Sequence, residues 1–117
     1  MSLISYDIGI YLKAEDDGFE LVDEPELSSP TYNLRDMFVA CMDWNYEQHT
    51  FYPAKFVLEK LIKGIEELSF HHARYERYDP SNGWGDIDGA LEALKSSRDS
   101  IINNARHYSI EKLYYRW

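Results

Sequence analysis

The spacing of apolar residues changes along this chain, and that change limits the possible folds more than any other feature. Near the start, apolar residues occupy every second position from Ile4 to Leu12, which predicts a half-buried strand over residues 3–13. In the middle of the chain the apolar residues recur at helical spacing. Residues 108–117 alternate again and are rich in aromatics, which predicts a last strand. Strands at both ends with helices between them indicate an α+β fold.

The first strand is expected to continue into a hairpin. Asp16-Asp17-Gly18 is a turn signal, because glycine accepts a positive φ and aspartate tolerates one. Phe19 to Asp23 can then return as a second strand. The last strand is expected to pair with this N-terminal hairpin, so that a small antiparallel β-sheet forms.

Three helices are expected between the hairpin and the last strand. The first covers 34–43 with Asn33 as its N-cap, the second follows Pro53, and the third follows Asp86. Their apolar faces are, in order, Leu34, Met37, Phe38, Cys41 and Met42; Val57, Leu58, Leu61, Ile62, Ile65 and Leu68; and Ile87, Ala90, Leu91, Leu94, Ile101, Ile102 and Ala105. We therefore expect residues 1–117 to form a single α+β domain, with about three helices packed on one face of the sheet.

The composition excludes several classes of protein. A chain of 117 residues with 44% hydrophobic residues can bury a core without disulfides or a structural metal. Its 15% aromatic content excludes a disordered acidic tail. The single cysteine excludes an internal disulfide and fits a reducing compartment. Without an apolar run of 18 residues or a signal peptide, the protein is expected in the cytoplasm, away from membranes.

The net charge of −9 lies entirely in the first half of the chain. Residues 1–53 contain eleven acids and two bases, whereas residues 54–117 contain ten of each. Seven acids cluster in the hairpin and just after it: Glu15, Asp16, Asp17, Glu20, Asp23, Glu24 and Glu26. The cluster is either a solubilising surface or a face that docks a basic partner protein. Direct binding to nucleic acid is not expected of so acidic a chain.

The residues that could carry chemistry do not form a known pattern. A calcium loop centred on Gly18 fails, because Lys13 would stand at a ligand position. The histidines lack metal-ligand spacing, so no metal or other cofactor is expected. Cys41 could act as a nucleophile beside His49, but its position on an apolar helical face favours core packing. We therefore expect no catalytic residues and a protein that is not an enzyme.

One connection mixes arginines with aromatics and is a secondary surface candidate. Its residues are Arg74, Tyr75, Arg77, Tyr78 and Trp84. They could stack on a nucleotide or other small ligand, with help from residues 45–49, which also flank the second helix. Alternatively, the aromatics fix a long connection to the core while Arg74 and Arg77 offset nearby acids. A third hypothesis is a structural module that forms a homodimer by edge pairing of its aromatic tail.

Several motifs occur in the order found in one family. They are SYDIGIYL at the start, PTYN at 30–33, WNYE at 44–47, LEKLIKGIEEL at 58–68 and DPSNGWGDIDGALEAL at 79–94. The chain resembles small phage, prophage and bacterial proteins with an NPxNGWGxYEGAL signature before the last helix. Ile87 and Asp88 stand where that signature has Tyr and Glu. The family has no assigned activity or catalytic residues to transfer.

The resemblance implies a role directed at a host cell. Small acidic phage proteins often occupy a site on a host protein, including the nucleases of bacterial defence. The resulting hypothesis is a non-enzymatic binding protein that docks its acidic hairpin on a basic surface of a host protein. It would inhibit a nucleic-acid-targeting defence system, as anti-CRISPR or anti-restriction proteins do.

Overall fold

A computed structural model of the chain describes residues 9–25, 35–47, 50–78 and 87–116. Within these ranges four strands form one antiparallel sheet in the order β2-β1-β4-β3. The strands are β1 (Gly9–Lys13), β2 (Phe19–Asp23), β3 (Phe51–Pro53) and β4 (Leu113–Arg116). The helices are α1 (Arg35–Met42), α2 (Ala54–Phe70) and α3 (Ile87–Ala105), with 3-10 helices at His72–Tyr78 and Ile110–Lys112. The predicted α+β fold is confirmed.

The last strand lies inside the sheet, between β1 and β3. Ile10 stands opposite Tyr115 and Leu12 opposite Leu113 in the β1–β4 pair. Ile10, Leu113 and Tyr115 are fully buried because the helices cover this face of the sheet, the inner face. The Tyr115 hydroxyl donates a hydrogen bond to Ser97 Oγ on α3 at 2.9 Å, so the end of the chain is tied to the third helix.

Helix α2 packs between the other two helices and under the sheet. Its buried residues are Ala54, Val57, Leu61, Gly64, Ile65 and Leu68. Gly64 lies where α2 meets both neighbours: a Cβ there would be 2.8 Å from Met42 Cγ on α1 and 3.0 Å from Leu94 Cδ1 on α3. The absence of a side chain at position 64 therefore permits the close approach of the three helices.

The apolar faces of the helices differ in part from the predicted ones. Ile62 and Ile102 belong to the predicted faces of α2 and α3, yet both are exposed. On α3 the polar residues Ser97 and Ser100 are buried instead. The reason lies in the sheet, where Tyr115 and Asp23 supply hydrogen-bonding partners for these two hydroxyls.

Two elements were not predicted, and the tail was only partly predicted. Residues 51–53 form the short strand β3, and the connection after α2 contains the 3-10 helix His72–Tyr78. In the tail, the strand covers only Leu113–Arg116 and follows a 3-10 turn. It pairs with the hairpin strand β1, as predicted. Residues 3–8 of the predicted first strand and the proposed caps Asn33 and Asp86 lie outside the described residues.

Helix α1 ends through backbone geometry rather than through a glycine. Asp43 adopts a φ of 51°, in the left-handed region. The Trp44 N–H donates to the Val39 carbonyl at 3.2 Å, and the Asp43 N–H donates to the Ala40 carbonyl at 3.3 Å. This is the bonding of a Schellman motif, which turns the chain away from the helix axis toward β3.

Gly64→Val is expected to lower the free energy of unfolding by about 1–3 kcal/mol, because the added carbons would meet Met42 and Leu94. The gain in helix propensity offsets only roughly 0.3 kcal/mol of this loss. Glu66→Val, at an exposed position of the same helix, is the matched control and is expected to change stability by less than about 0.5 kcal/mol. Urea unfolding measures both. Equal effects of the two variants would contradict the close approach at Gly64.

Candidate functional site

The tip of the acidic hairpin is a tight and well-defined turn. The Ala14 N–H donates to the Gly18 carbonyl at 2.8 Å, and the Asp17 N–H donates to the Ala14 carbonyl at 3.1 Å. Asp17 adopts a φ of 65°, and the Gly18 N–H donates to Asp16 Oδ1 at 3.0 Å. The two aspartates therefore build the turn in addition to adding charge, as the turn signal predicted.

Five of the seven clustered acids are exposed: Glu15, Asp16, Asp17, Glu20 and Glu24. Asp17 also forms an exposed ion pair with Lys13, at 3.8 Å from Asp17 Oδ1 to Lys13 Nζ. An exposed pair of this kind contributes little to stability, so the carboxylate remains accessible to a partner. Glu26 lies outside the described residues.

Asp23 differs from the other acids of the cluster. Its Oδ2 accepts a short hydrogen bond from Ser100 Oγ and a second one, of 2.8 Å, from Asn104 Nδ2. Both donors lie on α3, and Asp23 is only half-exposed. Its carboxylate therefore links β2 to α3, and we assign it a structural role rather than a role in binding a partner.

The face of the sheet that points away from the core carries an aromatic cluster. We call it the outer aromatic face and define it as Tyr11, Phe19, Leu21, Phe51 and Tyr114. The Phe19 and Phe51 rings stack with centroids 3.9 Å apart. Tyr11 contacts Phe51 edge-on at 4.9 Å, and Phe19 contacts Tyr114 edge-on at 5.1 Å. The cluster therefore crosses all four strands.

Two basic side chains lie on the rings of this face. Lys13 Nζ lies 5.9 Å from the centroid of the Tyr114 ring, and the Arg116 guanidinium lies 5.5 Å from that of Phe51. Lys13 is also the ion-pair partner of Asp17. The contacts Asp17–Lys13–Tyr114 thus place the acidic turn at the border of the outer aromatic face.

Sequence reasoning missed the outer aromatic face. Phe19 and Leu21 have the same parity on β2, and Tyr11 and Tyr114 stand directly opposite each other in the β1–β4 register. The alternation on β2 was therefore visible in the sequence. The contribution of Phe51 was not, because β3 was not predicted.

The described part of the secondary candidate, residues 70–78, packs against the core through Tyr75 and Tyr78. Tyr75 is buried and donates a 2.5 Å hydrogen bond to Glu67 Oε1, while Arg74 pairs with the same carboxylate at 3.6 Å. Arg77 stacks on the Tyr78 ring at 4.9 Å and donates to its hydroxyl. The aromatics Tyr75 and Tyr78 thus fix the connection to the core. Tyr75 is not available as a surface residue, and Trp84 lies outside the described residues.

The electrostatics around Glu67 follow from these contacts. The hydrogen bond from Tyr75, together with nearby positive charge, lowers the pKa of Glu67. Burial and the same carboxylate raise the pKa of Tyr75 to about 12. Both shifts favour a neutral tyrosine that donates to a charged glutamate at pH 7. This arrangement stabilises the connection.

Residues 44–47 are also occupied by local contacts. Arg35 stacks on the Tyr46 ring at 4.5 Å and donates to the Tyr46 carbonyl at 2.8 Å. Tyr46 itself is buried, and Trp44 packs edge-on against Tyr52 and Phe56. These contacts tie 44–47 to the start of α2, whereas the 3-10 helix His72–Tyr78 binds Glu67 near its end. The described contacts of the two segments therefore lie near opposite ends of α2.

Cys41 packs in the core, as its position on an apolar face predicted. It is fully buried, its thiol donates to the Phe38 carbonyl, and burial raises the pKa of the thiol to about 12. The thiol therefore stays protonated at neutral pH, which excludes a ready nucleophile. His49, its proposed base, lies outside the described residues. Among the described residues, no group of three or more His, Cys, Asp or Glu side chains could hold a metal ion.

The predicted edge pairing of the aromatic tail is wrong. Strand β4 pairs with β1 on one side and with β3 on the other, so neither of its edges can accept a second chain. A homodimer would have to use another surface. Within the described ranges, no helix is both long enough and apolar enough to cross a membrane.

Comparison with known proteins adds no constraint on function. No protein-family model, curated protein or solved structure matches the chain.

Asp23→Ala is expected to lower the free energy of unfolding by about 1–3 kcal/mol, because Ser100 would lose its acceptor in a buried position. Glu24→Ala, at an exposed neighbouring acid, removes the same charge and is expected to change stability by less than about 0.5 kcal/mol. Thermal or urea unfolding distinguishes the two. If Asp23→Ala leaves the free energy of unfolding unchanged, Asp23 is again a candidate for partner binding.

Proposed function

We propose that this chain is a non-enzymatic binding protein that docks its acidic hairpin on a basic surface of a partner protein. The observation that carries the proposal is the position of the charge. The excess of nine negative charges lies in residues 1–53. Three adjacent carboxylates, Glu15, Asp16 and Asp17, are exposed in the turn between β1 and β2, and Glu20 and Glu24 are exposed on and just after β2. Such a group attracts a basic surface at long range and then pairs with its cations at short range.

The partner that fits this surface best is a nucleic-acid-binding protein of the host. Such proteins hold phosphates with clustered Lys and Arg side chains, and closely spaced carboxylates can occupy the same positions. Occupying that surface would block its nucleic acid. Together with the resemblance to phage and prophage proteins, this supports inhibition of a host defence nuclease, in the manner of anti-CRISPR or anti-restriction proteins.

The structural roles of some of the acids limit which of them can be replaced to test binding alone. Asp16 and Asp17 shape the turn, and Asp23 holds α3, so replacing them would mix binding with stability. Glu15, Glu20 and Glu24 are exposed. Among the described residues, reversing these three glutamates removes no side-chain hydrogen bond of the hairpin, because those bonds are formed by Asp16 and Asp23.

Reversing Glu15, Glu20 and Glu24 to Lys is expected to weaken capture of basic host proteins by at least about tenfold. The matched control reverses Glu59, Glu66 and Glu76, which are exposed in the neutral half of the chain and change the net charge equally. Each immobilised protein is exposed to nuclease-treated bacterial lysate at low and high salt, and captured proteins are quantified by mass spectrometry.

The hairpin variant is expected to lose a set of salt-sensitive, nucleic-acid-binding proteins that the parent and the control variant both retain. If the two variants lose the same proteins, binding follows net charge alone. The hairpin is then not the docking site, and the proposal is wrong.

A further inference from the structure

We propose that the outer aromatic face is the part of the binding surface that receives arginine side chains of the partner. This inference rests on the proposed function and adds to it the contact surface and the preferred side chain. The acidic hairpin supplies attraction, whereas the aromatic rings supply a surface on which a guanidinium plane can stack.

Two apolar residues of the outer aromatic face are well exposed. Phe19 is 36% and Leu21 44% exposed, and both lie on β2, which is an edge strand in the described part of the sheet. They continue into the half-buried rings of Tyr11, Phe51 and Tyr114. A contiguous exposed apolar patch with a polar border is typical of an interaction surface.

The outer aromatic face already holds two cations of the chain itself. Arg116 and Lys13 of the chain itself lie over Phe51 and Tyr114, at 5.5 Å and 5.9 Å from the ring centroids. Both rings are therefore oriented so that a positive charge can reach their faces. Phe19 stacks on Phe51 with one face of its ring, and its exposed area offers a further surface for a planar cation.

Carboxylates of the turn lie beside the rings of this face. Asp17 pairs with Lys13, which itself lies over Tyr114, so the acidic turn borders the aromatic face. Glu15 and Asp16 belong to the same exposed turn. A guanidinium can stack on an aromatic ring and donate two parallel hydrogen bonds to a carboxylate at the ring's border, whereas an ammonium is a compact point charge.

Charge favours this occupant over two others. A second copy of the chain would bring two acidic halves together, because the hairpin that supplies β1 and β2 lies in the half that holds the whole excess charge. A nucleic acid could stack its bases on the rings, but its phosphates would meet the carboxylates of the turn. A basic protein segment suits both the rings and the carboxylates.

The test uses two synthetic peptides of equal charge, nona-arginine and nona-lysine, titrated into the full chain by calorimetry. The expected result is that nona-arginine binds about fivefold more tightly than nona-lysine. Phe19→Ser combined with Leu21→Ser is expected to remove this preference and to leave nona-lysine binding nearly unchanged. The control combines Phe56→Ser with Ile62→Ser, whose side chains are 39% and 41% exposed on α2, and is expected to keep the preference.

The outcomes separate this inference from the proposed function. If both peptides bind equally to the parent, or if the preference survives in the Phe19–Leu21 variant, the outer aromatic face does not select arginine and the inference is overturned. If reversal of Glu15, Glu20 and Glu24 then still weakens capture of host proteins, the proposed function stands without it. If that reversal has no effect, the proposed function fails independently.

Two further measurements complete the test. If sedimentation shows that the parent is a dimer and that the Phe19–Leu21 variant is not, the face binds a second copy and the inference is overturned. Tight binding of a ten-nucleotide oligothymidine to the parent would also overturn the inference. Should the serine variant fail to fold, aromatic NMR of the parent decides. Nona-arginine is expected to shift the Phe19 and Tyr114 ring signals more than nona-lysine does, and equal shifts would overturn the inference.

Discussion

The pairing of β4 with β1 is the interaction on which the rest of the structure depends. It joins the last strand of the chain to the first, with Ile10 opposite Tyr115 and Leu12 opposite Leu113. Without β4, the short strand β3 would have no neighbour, because the sheet order is β2-β1-β4-β3. The four-stranded sheet therefore forms only when residues about a hundred positions apart in the chain have paired.

This pair also gives the sheet two different faces. Inward, Leu113 and Tyr115 are buried among the helices, and the Tyr115 hydroxyl is satisfied by Ser97. Outward, Tyr11 and Tyr114 stand opposite each other and carry the aromatic cluster. Gly9 permits this cover, because a Cβ at position 9 would lie 2.6 Å from the Tyr11 ring. The buried core thus lies on one face of the sheet, and the other face carries the exposed side chains of Phe19 and Leu21.

The parts of the fold that could be predicted from sequence are those with a strong local signal. The hairpin turn followed from Asp16-Asp17-Gly18, and the long helix α2 followed from its apolar spacing. Strand β3 could not be predicted, because three residues are too few to show a period and Pro53 also suits the start of a helix. The burial of Ser100 depends on Asp23, which lies 77 positions away. No local pattern contains such a contact.

The candidate site could be predicted to the same extent. The acidic cluster was visible as a count of residues, and five of its members are exposed, three of them side by side in the hairpin turn. Its division into exposed and structural members was not visible, since only the packing of α3 against β2 shows that Asp23 is held by Asn104. The aromatic cluster required the strand order, because Phe19 and Phe51 belong to the two opposite edges of the sheet.

The division of the chain into an acidic half and a neutral half explains how one small domain can present both an acidic turn and an aromatic face. Helices α2 and α3 belong to the electrically neutral half of the chain. Together with α1 they bury the inner face of the sheet. The hairpin is therefore free to carry unbalanced charge at its turn and exposed rings on its strands. In the described residues, ring-to-ring contacts rather than a second layer of helices therefore cover the outer face of the sheet.

Amide hydrogen exchange of the full chain tests the central claim most directly. If the β1–β4 pair holds the fold together, the hydrogen-bonded amides of these two strands exchange only through global unfolding, and their protection equals the free energy of unfolding measured in urea. Amides of the turn at residues 14–18 exchange by local opening and much faster. Exchange of the β4 amides that is faster than that of the edge strand β2 would contradict the account.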